Sequence, residues 1–514
     1  MSEPRPLMGG RAQIKLTASQ VIMRKYSLEI IVFITGAAVM ILEIAGSRVL
    51  APYAGTSVIA WTSLIGIILA SLSAGYALGG RLADRYPSRE FLSLILFAGG
   101  ALTGGAAIMK GIILGGLFSI TRSVYLISIL GTLTLFALPS LILGMVSPFA
   151  LRLRFGARED SGRTAGNLYA LSTLGSIIGT FAAGFYLLPA FGHRSIILGT
   201  GIALILLSLF TTERRLRAAG AIIILVFLAA GAGLIPLPQE KLGITDVDSA
   251  YQRLFVREGW DKGGRLIHYL MTDFFGTQSA AYADGSPEII FPYIRFFRLG
   301  SHFVPRPQRA LMIGGGGLTY PRDFALKEPQ AKMDVAEIDP RVTALASTYF
   351  NFSKEKNVEI FHEDGRTFLN RAPSGKYDLV FMDAFRSFTP PPQLVTKEAM
   401  REIERVLKPR GVLVTNMIGA LAGEKGEFPQ TVLRTYKSVF PDVYVFAVDT
   451  KKTDTVQNLL LVAAKNKLDL VSADPEITEY LDHEIALTPA AGPIFTDDWA
   501  PVEYLVRNLL APES

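Results

Sequence analysis

The chain has 514 residues, room for two or more domains, and half of them are hydrophobic. The apolar surplus (mean hydropathy +0.35) lies in residues 27 to 236, while the remainder has ordinary globular composition. The net charge of +6 is modest and its basic residues cluster in the N-terminal tail and in short loops, which points to membrane topology and away from nucleic acid; no cysteine is present, which excludes disulfides, thiolate metal sites and cysteine nucleophiles.

Residues 1–26 carry Arg11, Lys15, Arg24 and Lys25 and no A-x-A cleavage site, so they read as an uncleaved cytoplasmic tail. Residues 27–236 read as a multi-pass α-helical membrane domain of about seven helices, on apolar stretches at 27–47, 58–79, 91–113, 123–146, 166–190, 195–212 and 218–236. Each is near the ~20 residues needed to span a bilayer. Gly and Ala are frequent in them, as close helix packing in lipid prefers. Positive charge follows the second stretch (Arg81, Arg85, Arg89), the fourth (Arg152, Arg154, Arg158, Arg163) and the sixth (Arg214, Arg215, Arg217). The N-terminus and these exits are therefore expected on the cytoplasmic side of the inner cell membrane. Glu43 lies inside the first stretch, with Arg48 as a candidate partner; an intramembrane carboxylate is a functional candidate by default. The loop GGRLADRYPSR resembles the G-x-x-x-D-R-x-G-R-R loop of major facilitator transporters, with Gly80, Asp84, Arg85 and Arg89 matching and Pro87 in place of a glycine. A cytoplasmic basic loop accounts for the arginines equally well.

Residues 237–300 read as a small β-subdomain. DVDSAYQRLFVRE and RLIHYLMTDFFGTQSA alternate apolar and polar residues, as β-hairpins do. Residues 301–514 read as an α/β domain. Ala310 to Ile313 is an apolar run of the kind that forms a buried parallel strand. Gly314, Gly315, Gly316 and Gly317 follow and let the backbone turn sharply and approach a ligand closely. A helix is expected from about Pro321 to Lys327. A strand, Met333 to Ala336, then ends at Glu337 and Asp339, and a carboxylate there can accept from both ribose hydroxyls of an adenosine. The loop lacks both the GxGxxG spacing and the GK[ST] of a P-loop. Further strands are expected at Val358–Phe361, leading to Glu363, Asp364 and Gly365, and at Tyr377–Met382, ending at Asp383. Glu398–Leu407 reads as an amphipathic helix, LKPRG (407–411) as its glycine-capped end, and Val412–Asn416 as the next strand.

A Gly loop, Glu337, Asp364 and Asp383 on four successive strand ends resemble the class I S-adenosylmethionine-binding (Rossmann-like) fold. Within it they resemble the spermidine synthase (polyamine aminopropyltransferase) branch. With the first apolar stretch and the 79–89 loop, the chain resembles the bacterial membrane-fused spermidine synthases over about 27–465. The resemblance implies transfer of an aminopropyl group from decarboxylated S-adenosylmethionine to an amine such as putrescine. It implies that Gly314 to Gly317, Glu337, Asp364 and Gly365 hold the adenosine and that Asp383 and Gln278 fix the aminopropyl tail. The S-x-Y-Q motif is matched by Ser249, Tyr251 and Gln252, with Tyr251, Gln252 and Gln278 on the substrate side. Tyr293 takes the place of the family's tyrosine, so Asp383, Tyr293 and Gln278 form the expected catalytic set. FTDDWAPVEYL, with Asp497, Asp498, Trp499 and Tyr504, resembles the family's closing segment; a helix N-cap is the simplest role for Asp497 and Asp498.

The sequence also departs from the family. DAFRSFTPP replaces D-S-x-D-P, so Arg386 stands at the second aspartate, and Gly317 stands where the Gly loop has one. A cation facing a polycationic amine costs on the order of 1 to 4 kcal/mol near 4 Å. Arg386 could instead sit on a mobile lid or bind an acidic acceptor. Two alternatives remain open: an S-adenosylmethionine-dependent methyltransferase, and a transporter or sensor with a cofactor-binding domain. The expected partners are a small-molecule amine and the lipid bilayer, with no nucleic acid; a homodimer stays open. The five histidines (193, 268, 302, 362, 483) lack metal-binding spacing, so no metal is expected. Seven spans from a cytoplasmic N-terminus would put the C-terminal domain outside, although S-adenosyl cofactors are cytosolic. Either that is so, or one stretch does not cross, with 218–236 the first suspect.

Overall fold

The computed structural model describes residues 27–55, 57–121, 123–154, 161–209, 214–234, 244–274, 276–353, 355–385, 389–506 and 509. The tail 1–26, Arg158 and Arg386 lie outside the described residues. The apolar stretches form helices α1 (Ser27–Ala54), α2 (Val58–Arg85), α3 (Arg89–Ile120), α4 (Val124–Arg154), α5 (Ser161–Ala182), α6 (Leu188–Leu209) and α7 (Arg214–Gly231). Five are long and apolar enough to cross a membrane: α1 to α4 and the continuous stretch Gly162–Leu209, which contains most of α5 and all of α6. That stretch breaks at Gly192, whose φ of 71° glycine adopts without a Cβ penalty. Its halves run in opposite directions. Gly175 and Gly179 of α5 rest on the carbonyls of Phe33 and Ala37 in α1. In α6, Ser208 accepts from the Ser93 hydroxyl of α3, and His193 meets Lys110 near the other end of α3. Gly75 and Gly79 touch Leu141 and Met145, and Gly100 and Gly104 give room to Gly201 and Phe227. Glycines four apart thus sit where helices cross, the close approach that bundles in lipid favour.

The seventh stretch is shorter, with its apolar part at Arg217–Gly231. It nevertheless runs the depth of the bundle. Gly220 lies by Phe97 and Leu209, Phe227 by Gly104, and the Ala230 carbonyl accepts from Arg194. An 18-residue helix is about 27 Å long, and this one packs along the length of α6 while falling outside the five spans that are long and apolar enough to cross.

The two ends of the bundle differ. At one end Arg152 pairs with Asp84 at 3.0 Å, Arg154 with Glu29 at 3.0 Å, and Arg89 meets Ser27. At the other end the soluble half is seated. The Phe274 amide donates to the Pro52 carbonyl at 3.0 Å, and Val58 donates to Glu503 at 2.8 Å. Arg48 donates to the Ala250 carbonyl at 2.8 Å. The Phe274 ring packs against Tyr53 and Phe118. Glu43 is buried on α1.

The small sheet is an antiparallel meander of β1 (Ile244–Asp248), β2 (Arg253–Trp260), β3 (Leu266–Met271) and β4 (Ser279–Tyr282). The alternation expected of these strands gives way in β2, where Arg253 to Val256 are all buried. Leu254 and Val256 pack on the helix Pro340–Tyr349, while Phe255 meets Phe274 on the other face.

The main sheet holds β5 (Arg309–Ile313), β6 (Lys332–Ala336), β7 (Val358–Phe361), β8 (Tyr377–Met382), β9 (Leu407–Gly419), β10 (Asp442–Ala447) and β11 (Gln457–Ala464). Its order is β10-β11-β9-β8-β5-β6-β7, and β11 is antiparallel to both neighbours. This is the class I S-adenosylmethionine-binding topology. Alternate residues feed two cores. Leu311, Ile313, Val380 and Met382 enter one, and Ala310, Met312, Leu379 and Phe381 the other. Burial on both faces explains why these strands read as unbroken apolar runs. The helix after Ile313 begins at Thr319, behind a left-handed Leu318. The glycine-capped end expected at LKPRG is not formed. The helix Lys397–Val406 stops because Leu407 is already extended and paired with Tyr377, and the ladder resumes at Leu379 and Val412 across a bulge.

Candidate active site

The strand order reverses between β5 and β8, and in open α/β sheets ligands bind at such a point, beyond the carboxyl ends of the strands. A cleft opens there, with the small sheet as its second wall. Tyr251, Gln252, Gln278, Tyr293, Gly314, Gly316, Glu337, Asp364, Gly365 and Asp383 all line it. Gly315 and Gly317 turn inward instead. The Gly315 amide donates to Glu337 Oε2 at 2.8 Å, and the Gly317 amide to Ser279 Oγ at 2.8 Å. Positive φ at Gly314 and Gly316 aims these amides.

Glu337 is buried, and its other oxygen accepts from the Asp339 amide at 2.9 Å. Burial pushes its pKa up against these hydrogen bonds. A carboxylate has about four acceptor positions, so Glu337 keeps capacity for a ligand hydroxyl beside the amides of Gly315, Gly316 and Asp339. That suits a ribose. Asp364 caps the helix Gly365–Arg371 by accepting from the amides of Arg366 and Thr367, and takes Gln393 Nε2 on its second oxygen. Gly365 is required by packing, since a Cβ there would lie 2.4 Å from Ile313. Gln278 donates to Thr272 Oγ1 at 2.9 Å.

Asp383 lies at the end of β8 between two donors. Tyr293 Oη donates to Oδ2 at 3.2 Å and Asn416 Nδ2 to Oδ1 at 2.9 Å. Asn458 donates in turn to Asn416 Oδ1 at 2.9 Å. Desolvation pushes the Asp383 carboxyl up to about 7, against both hydrogen bonds. Tyr293 is held well above its ordinary value by burial and by the neighbouring Asp383. A carboxylate poised near neutrality beside a protonated phenol can exchange a proton with a ligand at physiological pH.

Asn416 and Asn458 were not singled out in the sequence. Asn416 ends the expected strand Val412–Asn416 next to the strand bearing Asp383, a usable signal. Asn458 comes from the antiparallel β11 and carries no local signature. Asp497 is no helix cap. It accepts from Thr396 Oγ1 at 2.7 Å and from Arg366, tying the closing segment to two helices that flank the cleft. His362 sits at a strand end, its Nδ1 3.2 Å from the Glu337 carbonyl. Among the described residues no three His, Asp or Glu side chains gather in a way that would hold a metal ion.

Residues 296–472 match the spermine/spermidine synthase domain family. The chain is 32% identical over 227 residues to the polyamine aminopropyltransferase of Vibrio vulnificus (strain CMCP6), covering 44% of this chain and 74% of that one. It is 26% identical over 183 residues to the eEF1A lysine and N-terminal methyltransferase of Bos taurus, covering 34% of this chain and 25% of that protein. Among solved structures it resembles a probable spermidine synthase from Corynebacterium glutamicum ATCC 13032, with TM-score 0.39 and 21% identity over 44% of this chain and 83% of that one. The soluble half is thus a class I transferase. The chain belongs to the polyamine aminopropyltransferase family.

Proposed function

We propose that the cleft transfers the aminopropyl group of decarboxylated S-adenosylmethionine to a small amine such as putrescine. The observation that carries this reading is the convergence of Glu337 and Asp383 with Tyr293 and Gln278 in one cleft at the switch point. Glu337 accepts from the ribose hydroxyls, and Asp364 and Gly365 flank the base. Asp383 and Gln278 hold the aminopropyl tail, while Tyr251 and Gln252 line the acceptor side. The amine nitrogen attacks the methylene beside the sulfonium. A carbon–nitrogen bond forms, the carbon–sulfur bond breaks with its electron pair passing to sulfur, and methylthioadenosine leaves. Asp383 accepts the proton that the attacking nitrogen gives up, and Tyr293 keeps its carboxylate aligned. Holding both reactants in line supplies much of the acceleration.

Mass spectrometry of products tests this. Full-length protein is incubated with S-adenosylmethionine or its decarboxylated form and a panel of amines. Methylthioadenosine with an aminopropylated amine is expected from the decarboxylated donor; adenosylhomocysteine from the intact one would move the assignment to methyl transfer.

In the same reading the helical half spans a membrane, with its arginine-rich end in the cytoplasm and the catalytic half on the opposite face. Two independent features support this: the arginines gather at one end, and the soluble half is seated on the other. A chain without cysteine suits single-cysteine labelling. In spheroplasts a membrane-impermeant maleimide is expected to modify Lys262→Cys, and to reach Glu90→Cys only after permeabilisation. The reverse pattern would overturn this orientation.

A further inference from the structure

The turn that carries Tyr251 and Gln252 into the cleft is held from both sides. On the cleft side Ser249 Oγ meets Asp339 Oδ2 at 2.5 Å, and Asp339 donates its amide to Glu337. Ser249 Oγ also accepts from the amides of Tyr251 and Gln252, at 3.1 and 2.9 Å. On the bundle side the preceding residue, Asp248, accepts from His193 twice. The contacts are 2.5 Å from Nδ1 and 2.9 Å from the backbone amide. That amide is free because the break at Gly192 ends one helical run and starts the next, so Asp248 caps a membrane helix from the soluble half. Nε2 of His193 meets Lys110 of α3, and both side chains are buried, at 2% and 4% exposure. Arg48 of α1 donates to Ala250 in the same turn.

Behind this turn, between bundle and soluble half, lies a cavity of about 350 Å³ lined by Lys110, His193, Asp248, Phe255, Phe274 and Arg341. Asp248 Oδ1 has no hydrogen-bond partner among the described residues, although its side chain is only 9% exposed. The β1–β2 ladder closes the turn, with the Ser249 amide donating to the Gln252 carbonyl at 2.9 Å, and with space behind it the contacts to His193 and Arg48 hold this hairpin end against the bundle.

We propose that His193, Lys110 and Arg48 are positioning residues of the transfer reaction: through Asp248 and Ala250 the membrane bundle sets the wall of the cleft that receives the acceptor amine. The membrane half then does more than anchor the enzyme. This rests on the aminopropyl-transfer reading, and the experiment separates the two.

Steady-state kinetics are measured on full-length protein in nanodiscs, with methylthioadenosine binding followed by calorimetry. His193→Ala is expected to raise KM for the amine about tenfold, the scale of one charge-assisted hydrogen bond, with kcat and nucleoside affinity within about twofold of the parent. His193→Asn, whose amide can donate to Asp248 as Nδ1 does, is expected to restore most of the loss. Arg48→Gln tests the second contact independently and is expected to raise the same KM by a smaller factor. An unchanged amine KM in both His193→Ala and Arg48→Gln would overturn the proposal. So would a joint fall of kcat and nucleoside affinity that His193→Asn does not rescue. A parent protein that makes no aminopropylated amine would instead overturn the reading of the reaction.

Discussion

The α/β domain and the helical bundle use polar side chains in opposite ways. In the sheet, charged residues follow directly after strands, so that Glu337, Asp364 and Asp383 reach one cleft because parallel strands end on the same edge. In the bundle, buried hydroxyls bond to their own helix, whereas the polar contacts at the seam with the small sheet join residues far apart in the chain. Lys110, His193 and Asp248 come from α3, α6 and β1. Local order puts the first set together, and helix crossing puts the second together. Chemistry is therefore concentrated where the chain's own periodicity delivers it, and the bundle contributes at a seam.

The largest effect expected is at Asp383. Asp383→Asn should lower kcat by about a thousandfold, within the usual range for a lost acid–base group. In the parent, initial rates should rise with pH through about 7 as the carboxyl ionises. The same group sets a stability trend. Its folded value lies above the ordinary 3.8, so the folded state holds the proton more tightly and stability falls as pH rises from about 4 to about 7. Asp383→Asn should therefore melt above the parent at pH 8, with the difference vanishing near pH 4. A rate profile flat across pH 5 to 9 would remove Asp383 from the proton path.

Glu337→Gln comes next. Weaker charge-assisted acceptance of the ribose hydroxyls should cost about 10- to 100-fold in nucleoside affinity, read by calorimetry with methylthioadenosine, while kcat at saturating donor stays close to the parent. Asn416→Leu should act more gently. It removes one of the two donors that hold Asp383 ionised, so the rising limb of the rate profile should move to higher pH, with a several-fold loss at neutrality. Gly175→Val probes the other region. A Cβ at Gly175 would lie 2.1 Å from the Phe33 carbonyl, so the crossing of α1 and α5 must open. Yield and melting temperature should fall while kcat per folded molecule holds. A change in kcat would show that the two regions are coupled more widely than through the turn at 248–252.

Most of the α/β half is legible in the sequence, because strands buried on both faces read as apolar runs and their ends as charges. Val358–Phe361 and Tyr377–Met382 form as expected, and the helix Lys397–Val406 differs by one residue at each end. LKPRG misleads because Pro and Gly beside a helix end look like a cap, whereas cross-strand pairing with Tyr377 draws the segment into β9. Asp497 misleads for a similar reason, since its partners Thr396 and Arg366 are about a hundred residues or more away. In the bundle the glycine spacing is visible, but which helix each pair meets is not. The reversal at Gly192 is visible as the gap between the stretches 166–190 and 195–212, but nothing there shows that the freed His193 amide meets Asp248. Asn458 is silent because an antiparallel strand inserted late in the chain brings it to the cleft.

The seat of the catalytic half on the arginine-poor end also has an electrical consequence. In the proposed orientation, a cationic product released on that face, in a cell whose interior is negative, sits at the top of the membrane potential. Each positive charge it carries favours inward movement by about 2.3 kcal/mol per 100 mV. Aminopropyl transfer adds one such charge to the amine, so in that orientation the product is driven toward the cytoplasm more strongly than the amine it came from.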